Sequence, residues 1–241
     1  MINISKSIPD IGHISAQPTH SYISFSQPLS CISNAPWLGG PVCPINGILN
    51  LKVAGNHPTG KTPSIEQTIT DACRQYQLQG RFVGLITAAS MKSFRFRITT
   101  IENYTLVCAV TAGIANARRV GDRADDYELG QQPRTVGTIN IMFATNVPLS
   151  PAAQQEAFAL ITEAKTAACY DLQILSTQSQ KIATGTGTDA TVVASAELAT
   201  PGIDSVIPYC GKHTKLGELI GQMSYQAMAD TLQGCLDCLT P

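Results

Sequence analysis

Apolar residues recur along the chain in short runs between polar turns, and their spacing predicts a mixture of strands and helices. Alternating or continuous apolar runs predict strands at 48–54, 82–89, 94–100, 105–111, 137–147, 181–184 and 191–196. In the run 137–147, Ile139, Ile141 and Phe143 fall on one face. Asn140 therefore faces the other way, where its amide could meet a ligand or water.

Helical spacing predicts three helices, which begin near Ser64, Ser150 and Thr214. Strands and helices do not alternate strictly. This order favours an α/β chain of the α+β type, a single domain with a mixed β-sheet and helices packed on it. Residues 1–30 have no clear period and are predicted to form an N-terminal arm or edge strand, ahead of a domain that spans 31–241.

Composition and charge narrow the classes of function. The 241 residues are 44% hydrophobic and 14% charged, with 16 basic and 17 acidic side chains. A net charge of -1 gives no overall field that would hold nucleic acid or an anionic membrane. No apolar run is long enough to span a bilayer and no signal peptide is evident, so a cytoplasmic location is expected. Cys235 and Cys238 lack a second pair and a nearby histidine, so no metal site is predicted.

A glycine- and threonine-rich segment, ATGTGTD at 183–189, is the strongest candidate for a ligand-binding turn. Gly185 and Gly187 permit close approach of a ligand to the backbone. Thr186, Thr188 and Asp189 add two hydroxyls and a carboxylate. Because β-branched residues follow, the segment is a strand–turn–strand, and an ordinary hairpin turn would have a similar composition.

Charged residues next to predicted helix faces offer acid–base groups. Lys165 lies at the margin of the apolar face of its helix and Glu163 lies well outside that face. The surrounding alanines would let the helix pack on two sides and leave both in a pocket wall; otherwise they are a snorkelling lysine and a solvated carboxylate. His213 precedes the last helix, whose N-terminus suits an anion, although a loop histidine is often a surface bystander.

The segment TAGIANARRVGD at 111–122 carries Asn116, an arginine pair and Asp122. The arginines Arg118 and Arg119 could recognise phosphate or carboxylate, or remain solvated in a loop.

One short match favours another class of function. Gly55–Thr62 reads GNHPTGKT, the form of a phosphate-binding loop, and it follows a predicted strand. Pro63 removes a backbone N–H that such a loop would use, and no later strand ends in an exposed aspartate for Mg²⁺. The nucleotide-binding interpretation is therefore kept only as an alternative.

Seven segments together resemble the adenosylcobinamide amidohydrolase family. They are SNAPWLGG (33–40), VGLITAA (83–89), TAGIANARRVGD (111–122), GTINI (137–141), TEAKTAA (162–168), ATGTGTD (183–189) and GKHTKLGELIG (211–221). The resemblance implies hydrolysis of the amide that joins aminopropanol to the propionyl arm of the corrin ring. The product, adenosylcobyric acid, would re-enter coenzyme B12 assembly. The cobalt corrinoid would be the substrate, and no separate cofactor is implied.

Amide hydrolysis needs a base, donors for an oxyanion and an acid for the leaving nitrogen. We expect catalysis from Asp189 or Glu163 as base, acting on water or a threonine hydroxyl, and from Lys165 or His213 as acid. A rival scheme has a threonine nucleophile, Thr186 or Thr188, activated by Lys165. The expected substrate-binding residues are Asn116, Asp122, Asn140, Gly185, Thr186, Gly187 and Thr188.

Within this interpretation, backbone N–H groups of the turn, with Asn116 or Asn140, would bind the oxyanion. The expected partner is a small-molecule corrinoid, without nucleic acid or membrane, and a homo-oligomer is compatible with the sequence. A non-catalytic corrinoid-binding protein remains the second alternative.

Overall fold

The computed structural model describes residues 2–53, 63–125, 137–197 and 205–238. The phosphate-loop candidate Gly55–Thr62 lies outside the described residues. The strands are β1 (Ile4–Ile8), β2 (Gly12–Gln17), β3 (His20–Ser33), β4 (Gly40–Lys52), β5 (Phe82–Thr87), β6 (Arg95–Ile101), β7 (Tyr104–Ala112), β8 (Ala117–Arg118), β9 (Ile139–Pro148), β10 (Gly185–Thr186) and β11 (Ala190–Ala196). The helices are α1 (Ile65–Gln75), α2 (Pro151–Asp171) and α3 (Lys215–Asp237).

Side-chain caps define where the helices begin. Ser64, Ser150 and Thr214 each accept a hydrogen bond from the backbone N–H three residues later. Such caps satisfy N–H groups that have no partner within the helix. The three predicted helix starts are confirmed. Within the described ranges, no helix combines the length and hydropathy needed to cross a membrane.

Nine of the strands form one mixed sheet, with the backbone order β1-β2-β3-β11-β9-β7-β6, and β4 and β5 extend it from β3. The pairs β9–β11 and β4–β5 are parallel and the remaining pairs in this sheet are antiparallel. The predicted mixed sheet with helices packed on it is confirmed. The short strands β8 and β10 pair separately, beside the candidate turn.

The buried apolar residues form three clusters. Each cluster lies between two layers, so the fold has four layers: α2 with α3, two portions of the sheet, and α1. Alternate residues of β7 point to opposite sides: Leu106 and Cys108 pack with α2 and α3, whereas Val107 and Ala109 pack with β1–β5. The outer face of β4 and β5 packs on α1. Two sheet portions therefore face one another, with helices outside each.

Two predicted segments differ in the structure. Residues within 1–30 form β1, β2 and most of β3, so this region contributes three strands to the sheet, with β1 at its edge. The predicted strand at 181–184 is wrong. Backbone bonds from Ser176 to Lys181 and from Ala183 to Ile174 fold the segment back on its predecessor, and only Ile182 makes an isolated bridge.

A buried polar network joins the two sheet portions. Asn50 of β4 is fully buried and its amide donates to Thr111 Oγ1 at 2.9 Å. Asn140 of β9 donates to Asn50 Oδ1 at 2.8 Å and to the Ile86 carbonyl at 3.0 Å. Inside a core these hydrogen bonds are strong, and the loss of one partner leaves the other polar groups buried without a hydrogen bond.

We expect Asn50→Ala to lower the free energy of unfolding by about 1–3 kcal/mol, because the amide of Asn140 and the hydroxyl of Thr111 lose a buried partner. The control is Asn103→Ala, since the Asn103 side chain is exposed in the β6–β7 turn. Urea unfolding followed by circular dichroism measures both. Equal midpoints for the two variants would contradict the stabilising role of the network.

Candidate active site

The carboxylate of Asp189 is the centre of a group of polar side chains just before β11. Its Oδ2 lies 2.5 Å from Lys165 Nζ and accepts the Thr186 N–H at 3.0 Å. Its Oδ1 accepts the Thr186 hydroxyl at 2.5 Å and the Ile139 N–H at 3.0 Å. The side chains of Lys165 and Asp189 are only 12% and 11% exposed, so this is a nearly buried ion pair.

The fold brings these groups together from three elements. Parallel pairing of β11 with β9 sets Ala190 opposite Asn140, which puts Asp189 beside the N–H of Ile139. α2 packs against β11 and delivers Lys165. Gly185 makes room for the pair: a Cβ there would lie 2.1 Å from Asp189 Oδ2 and 2.7 Å from Lys165 Nζ.

The two threonine hydroxyls of the turn have different partners. Thr188 Oγ1 donates to the Gly137 carbonyl at 2.8 Å. Thr186 Oγ1 is 2.5 Å from the Asp189 carboxylate and 3.4 Å from the same carbonyl. Thr138 Oγ1 donates to the Thr188 carbonyl at 2.7 Å and ties the turn to β9. Thr186 is therefore the threonine whose proton faces a carboxylate.

Asn116 lies beside this turn. Its side chain is buried, and its Oδ1 lies 2.1 Å from the point where a Cβ on Gly137 would stand. Its Nδ2 lies 3.7 Å from the corresponding point on Gly187. Gly187, whose backbone N–H is a hydrogen-bond donor, follows β10 directly. An amide group and a backbone N–H therefore border the Thr186 side of the turn.

Asn140 is buried beneath the site instead of facing water. It is 2% exposed, and its amide N–H groups go to Asn50 and the Ile86 carbonyl. The alternative in which Asn140 faces water is wrong, because the second sheet portion covers this face of β9. Thr138 lies 3.4 Å from the Asn140 side-chain oxygen and donates to the Thr188 carbonyl, which links Asn140 to the turn.

Glu163 and His213 lie on the surface, and the structure does not bring them to Asp189. Glu163 forms an ion pair with Lys212 at 2.5 Å, with side-chain exposures of 55% and 67%. His213 is exposed ahead of α3. Of the two alternatives for Glu163, the structure shows the exposed carboxylate and not the pocket wall, because the helix buries only the Lys165 side. The catalytic roles predicted for Glu163 and His213 have no supporting contact among the described residues.

Asp122 organises a neighbouring loop. Its Oδ2 accepts the Arg119 N–H at 2.8 Å and the Ser176 hydroxyl at 2.5 Å. The hydrogen bonds from the Ser176 hydroxyl and from that N–H lower the pKa of Asp122 to about 2. Arg118 pairs with Asp125, and Arg119 donates to the Ile182 carbonyl at 2.9 Å. The arginines therefore hold protein groups in this structure.

The family assignment follows from comparison of the whole sequence. The model of the adenosylcobinamide amidohydrolase family matches residues 6–237. The chain belongs to the adenosylcobinamide amidohydrolase family. Membership supports a hydrolase as the general class of the protein.

Two relatives are similar to the chain in sequence. An uncharacterized protein of Methanocaldococcus jannaschii is 34% identical over 163 residues, which cover 61% of each chain. The present chain therefore spans less than two thirds of that relative. An adenosylcobinamide amidohydrolase of Methanosarcina mazei is 30% identical over 166 residues, covering 67% of this chain and 72% of that protein.

Two solved structures overlay loosely on the chain. They are the PH0078 protein from Pyrococcus horikoshii (11% identity, TM-score 0.42) and an L-aminopeptidase D-Ala-esterase/amidase from Ochrobactrum anthropi (8% identity, TM-score 0.39). Each overlay covers 97% of this chain and 82% of the other. At these TM-scores the overlays support no conclusion about this chain.

Four of the segments that resemble the family, at 33–40, 137–141, 162–168 and 183–189, contact Asp189, and one of them supplies a residue not predicted from the sequence. Asn34, in SNAPWLGG, donates to the Asp189 carbonyl at 3.0 Å and accepts the Thr191 N–H at 2.7 Å. It fixes the backbone on which the carboxylate is carried. The signal available in the sequence was an asparagine ahead of a glycine pair, which indicated only a turn.

We expect Gly185→Ala to separate Lys165 from Asp189, because the added methyl group would overlap the carboxylate. Overpacking of this kind costs about 1–3 kcal/mol. Gly187→Ala is the matched control, since its nearest neighbour would lie 3.7 Å away. Thermal unfolding of both variants measures the difference. A melting temperature for Gly185→Ala equal to that of Gly187→Ala would show that the pair is not sterically confined.

The Asp122 loop should respond to acid. Because hydrogen bonds lower its pKa in the folded protein from 3.8 to about 2, the ionised form stabilises the fold above pH 3.8. That contribution is lost as the pH falls from 3.8 towards 2. We expect Asp122→Asn to lower the melting temperature at pH 7, and the gap from wild type to narrow at pH 2.5. A gap that stays constant with pH would assign the effect to something other than ionisation.

Proposed function

We propose that the protein hydrolyses the amide between aminopropanol and the propionyl arm of the corrin ring in adenosylcobinamide. The products are adenosylcobyric acid and aminopropanol, which suits the salvage of incomplete corrinoids. The observation that carries this proposal is the contact chain from the Thr186 hydroxyl to the Asp189 carboxylate to the Lys165 ammonium. It joins a nucleophile, a proton acceptor and a positioning charge in segments that resemble the family.

Thr186 acts as the nucleophile in this scheme. Its oxygen attacks the amide carbon while its proton passes to Asp189 Oδ1, to which it is hydrogen-bonded at 2.5 Å. Asp189 then delivers that proton to the leaving nitrogen, the C–N bond breaks and aminopropanol departs. The corrinoid remains as an ester on Thr186.

Water completes the reaction by the same route in reverse. A water oxygen attacks the ester carbon and gives its proton to Asp189. The bond to Thr186 Oγ1 breaks, and the proton returns to that oxygen. Over both steps one water is consumed and one amide becomes an acid and an amine.

The other residues position these groups and stabilise charge. The Gly187 N–H and the Asn116 amide serve as oxyanion donors, since both border the Thr186 side of the turn. Lys165 holds the Asp189 carboxylate in place through Oδ2 and leaves Oδ1 to exchange the proton.

A neighbouring cysteine is unsuited to the role of nucleophile. Cys169 lies one helical turn beyond Lys165 and is 1% exposed. Burial raises its pKa to about 11, which leaves it a neutral thiol at pH 7. A hydroxyl beside a carboxylate is the better candidate.

The direct test incubates purified protein with adenosylcobinamide, without ATP or added metal, and follows the corrinoid by mass spectrometry. We expect loss of the aminopropanol group and appearance of a free carboxylate. An unchanged corrinoid after incubation with folded protein would refute the proposed reaction.

Variants assign the roles. Thr186→Ala and Asp189→Asn should each lower kcat by at least about 100-fold, because each removes a group that takes part in bond or proton transfer. Thr188→Ala, whose hydroxyl faces a carbonyl, and Glu163→Gln, on the surface, should stay within about threefold of wild type. Normal turnover by Thr186→Ala would exclude the acyl-threonine route and favour direct attack by water.

A further inference from the structure

A cavity of about 620 Å³ opens beside the candidate active site. Its walls are formed mainly by small residues from four parts of the fold: Ala88 and Ala89, Ala112–Ala115, Gly137, and Gly234 with Cys235 at the end of α3. The charged residues in the lining are Lys92, Arg95 and Asp237. Arg95 Nη1 already donates to the carbonyls of Lys92 and Phe94, at 2.9 Å each. The volume is within the range of about 300–1,000 Å³ that small-molecule sites occupy.

The cavity meets the reacting group at Gly137. The carbonyl of this residue accepts the Thr188 hydroxyl at 2.8 Å and lies 3.4 Å from the Thr186 hydroxyl. Gly137 also lines the cavity. A ligand there therefore adjoins the side of the turn that carries Thr186.

A second cavity, of about 450 Å³, approaches Asp189 from another direction. It is lined by Asn34, Gly40 and the α2 residues Phe158 and Ala159. Asn34 contacts only the backbone carbonyl of Asp189, whereas the carboxylate contacts Lys165, Thr186 and Ile139. The reacting atoms thus face the Gly137 side.

We propose that the cavity beside Gly137 binds the corrin macrocycle of the substrate, so that one propionyl arm reaches Thr186. This inference rests on the proposed function. Aminopropanol has only five non-hydrogen atoms and needs a small part of this space, whereas a flat ring edge suits a wall of alanine and glycine. Lys92 and Arg95 then donate to amide carbonyls on the periphery of the ring.

Of the two cysteines that line the cavity, Cys235 contributes an apolar surface and not a cobalt ligand. Cys235 donates its S–H to the Ala112 carbonyl at 3.2 Å. Burial raises the pKa of Cys235 to about 11, so Cys235 is a neutral thiol at neutral pH.

The proposal is tested by substitutions that place a larger side chain in each cavity. Substrate binding is measured separately from hydrolysis. Ala115→Leu and Ala88→Leu fill the cavity beside Gly137, and Ala159→Leu, at an exposed helix position, is the matched control in the other cavity. Each change is made in the Thr186→Ala protein. Equilibrium dialysis against adenosylcobinamide, read by the visible absorbance of the corrin, gives Kd. The same changes in the active protein give KM and kcat.

We expect Ala115→Leu and Ala88→Leu to raise Kd and KM by about tenfold or more, because overpacking displaces the ring. Both should keep the melting temperature of their parent, and kcat should change less than KM. Ala115 is exposed in a turn, so binding to the Ala115→Leu protein can be measured even if Ala88→Leu does not fold. Ala159→Leu should bind within about twofold of its parent.

The outcomes separate this inference from the proposed function. If the wild type hydrolyses adenosylcobinamide and both filled variants bind it as their parent does, the cavity assignment is overturned and the proposed function stands. A loss of binding confined to Ala159→Leu would place the ring in the other cavity and would also overturn the cavity assignment. If the wild type neither binds nor hydrolyses the corrinoid, the proposed function itself fails.

Discussion

The ion pair between Lys165 and Asp189 is the interaction on which the candidate site depends. Both side chains are almost buried, and removing charges from water is costly unless each is paired and hydrogen-bonded. Asp189 meets that condition with three further donors from Thr186 and Ile139. Loss of one partner would leave an uncompensated charge, at a cost of about 3–5 kcal/mol. The pair thereby holds α2 and the turn before β11 in one arrangement.

Hydrogen bonds connect the Asp189 turn to the core of the protein. Thr138 connects the turn to Asn140, and Asn140 connects β9 to Asn50 on the opposite sheet portion. The turn that carries Thr186 is therefore attached to buried strands and not to a free loop. A catalytic group held on rigid elements keeps its geometry, which is what proton transfer over 2.5 Å requires.

The parts of the fold that could be predicted from the sequence are those that depend on contacts between residues close together in the chain. The helix starts at Ser64, Ser150 and Thr214 were predictable, because a cap involves residues three apart. The segment 181–184 was not, because its backbone partners at Ile174 and Ser176 outweigh its short alternation. The buried position of Asn140 depends on a sheet portion from a distant part of the chain, and the pattern of β9 alone carries no information about it.

The site shows the same limit. Resemblance grouped Asp189, Lys165, Glu163 and His213, but sharing motifs does not make residues neighbours. The phase of α2 distinguishes two of them, since Lys165 borders the buried face and Glu163 does not. Asn34 escaped notice because its role is to bind the Asp189 carbonyl, a backbone group 155 residues away. Long-range contacts with backbone leave no periodic signal.

Gly137 is shared by the candidate active site and the cavity beside it. Its carbonyl receives the Thr188 hydroxyl, and its Cα lies against Asn116, where a Cβ would stand 2.1 Å from Oδ1. The same residue lines the 620 Å³ cavity. A side chain at this point would displace the candidate oxyanion donor and narrow the approach to Thr186 together. Glycine is therefore needed there for the backbone to serve the turn, the amide and the substrate space at once.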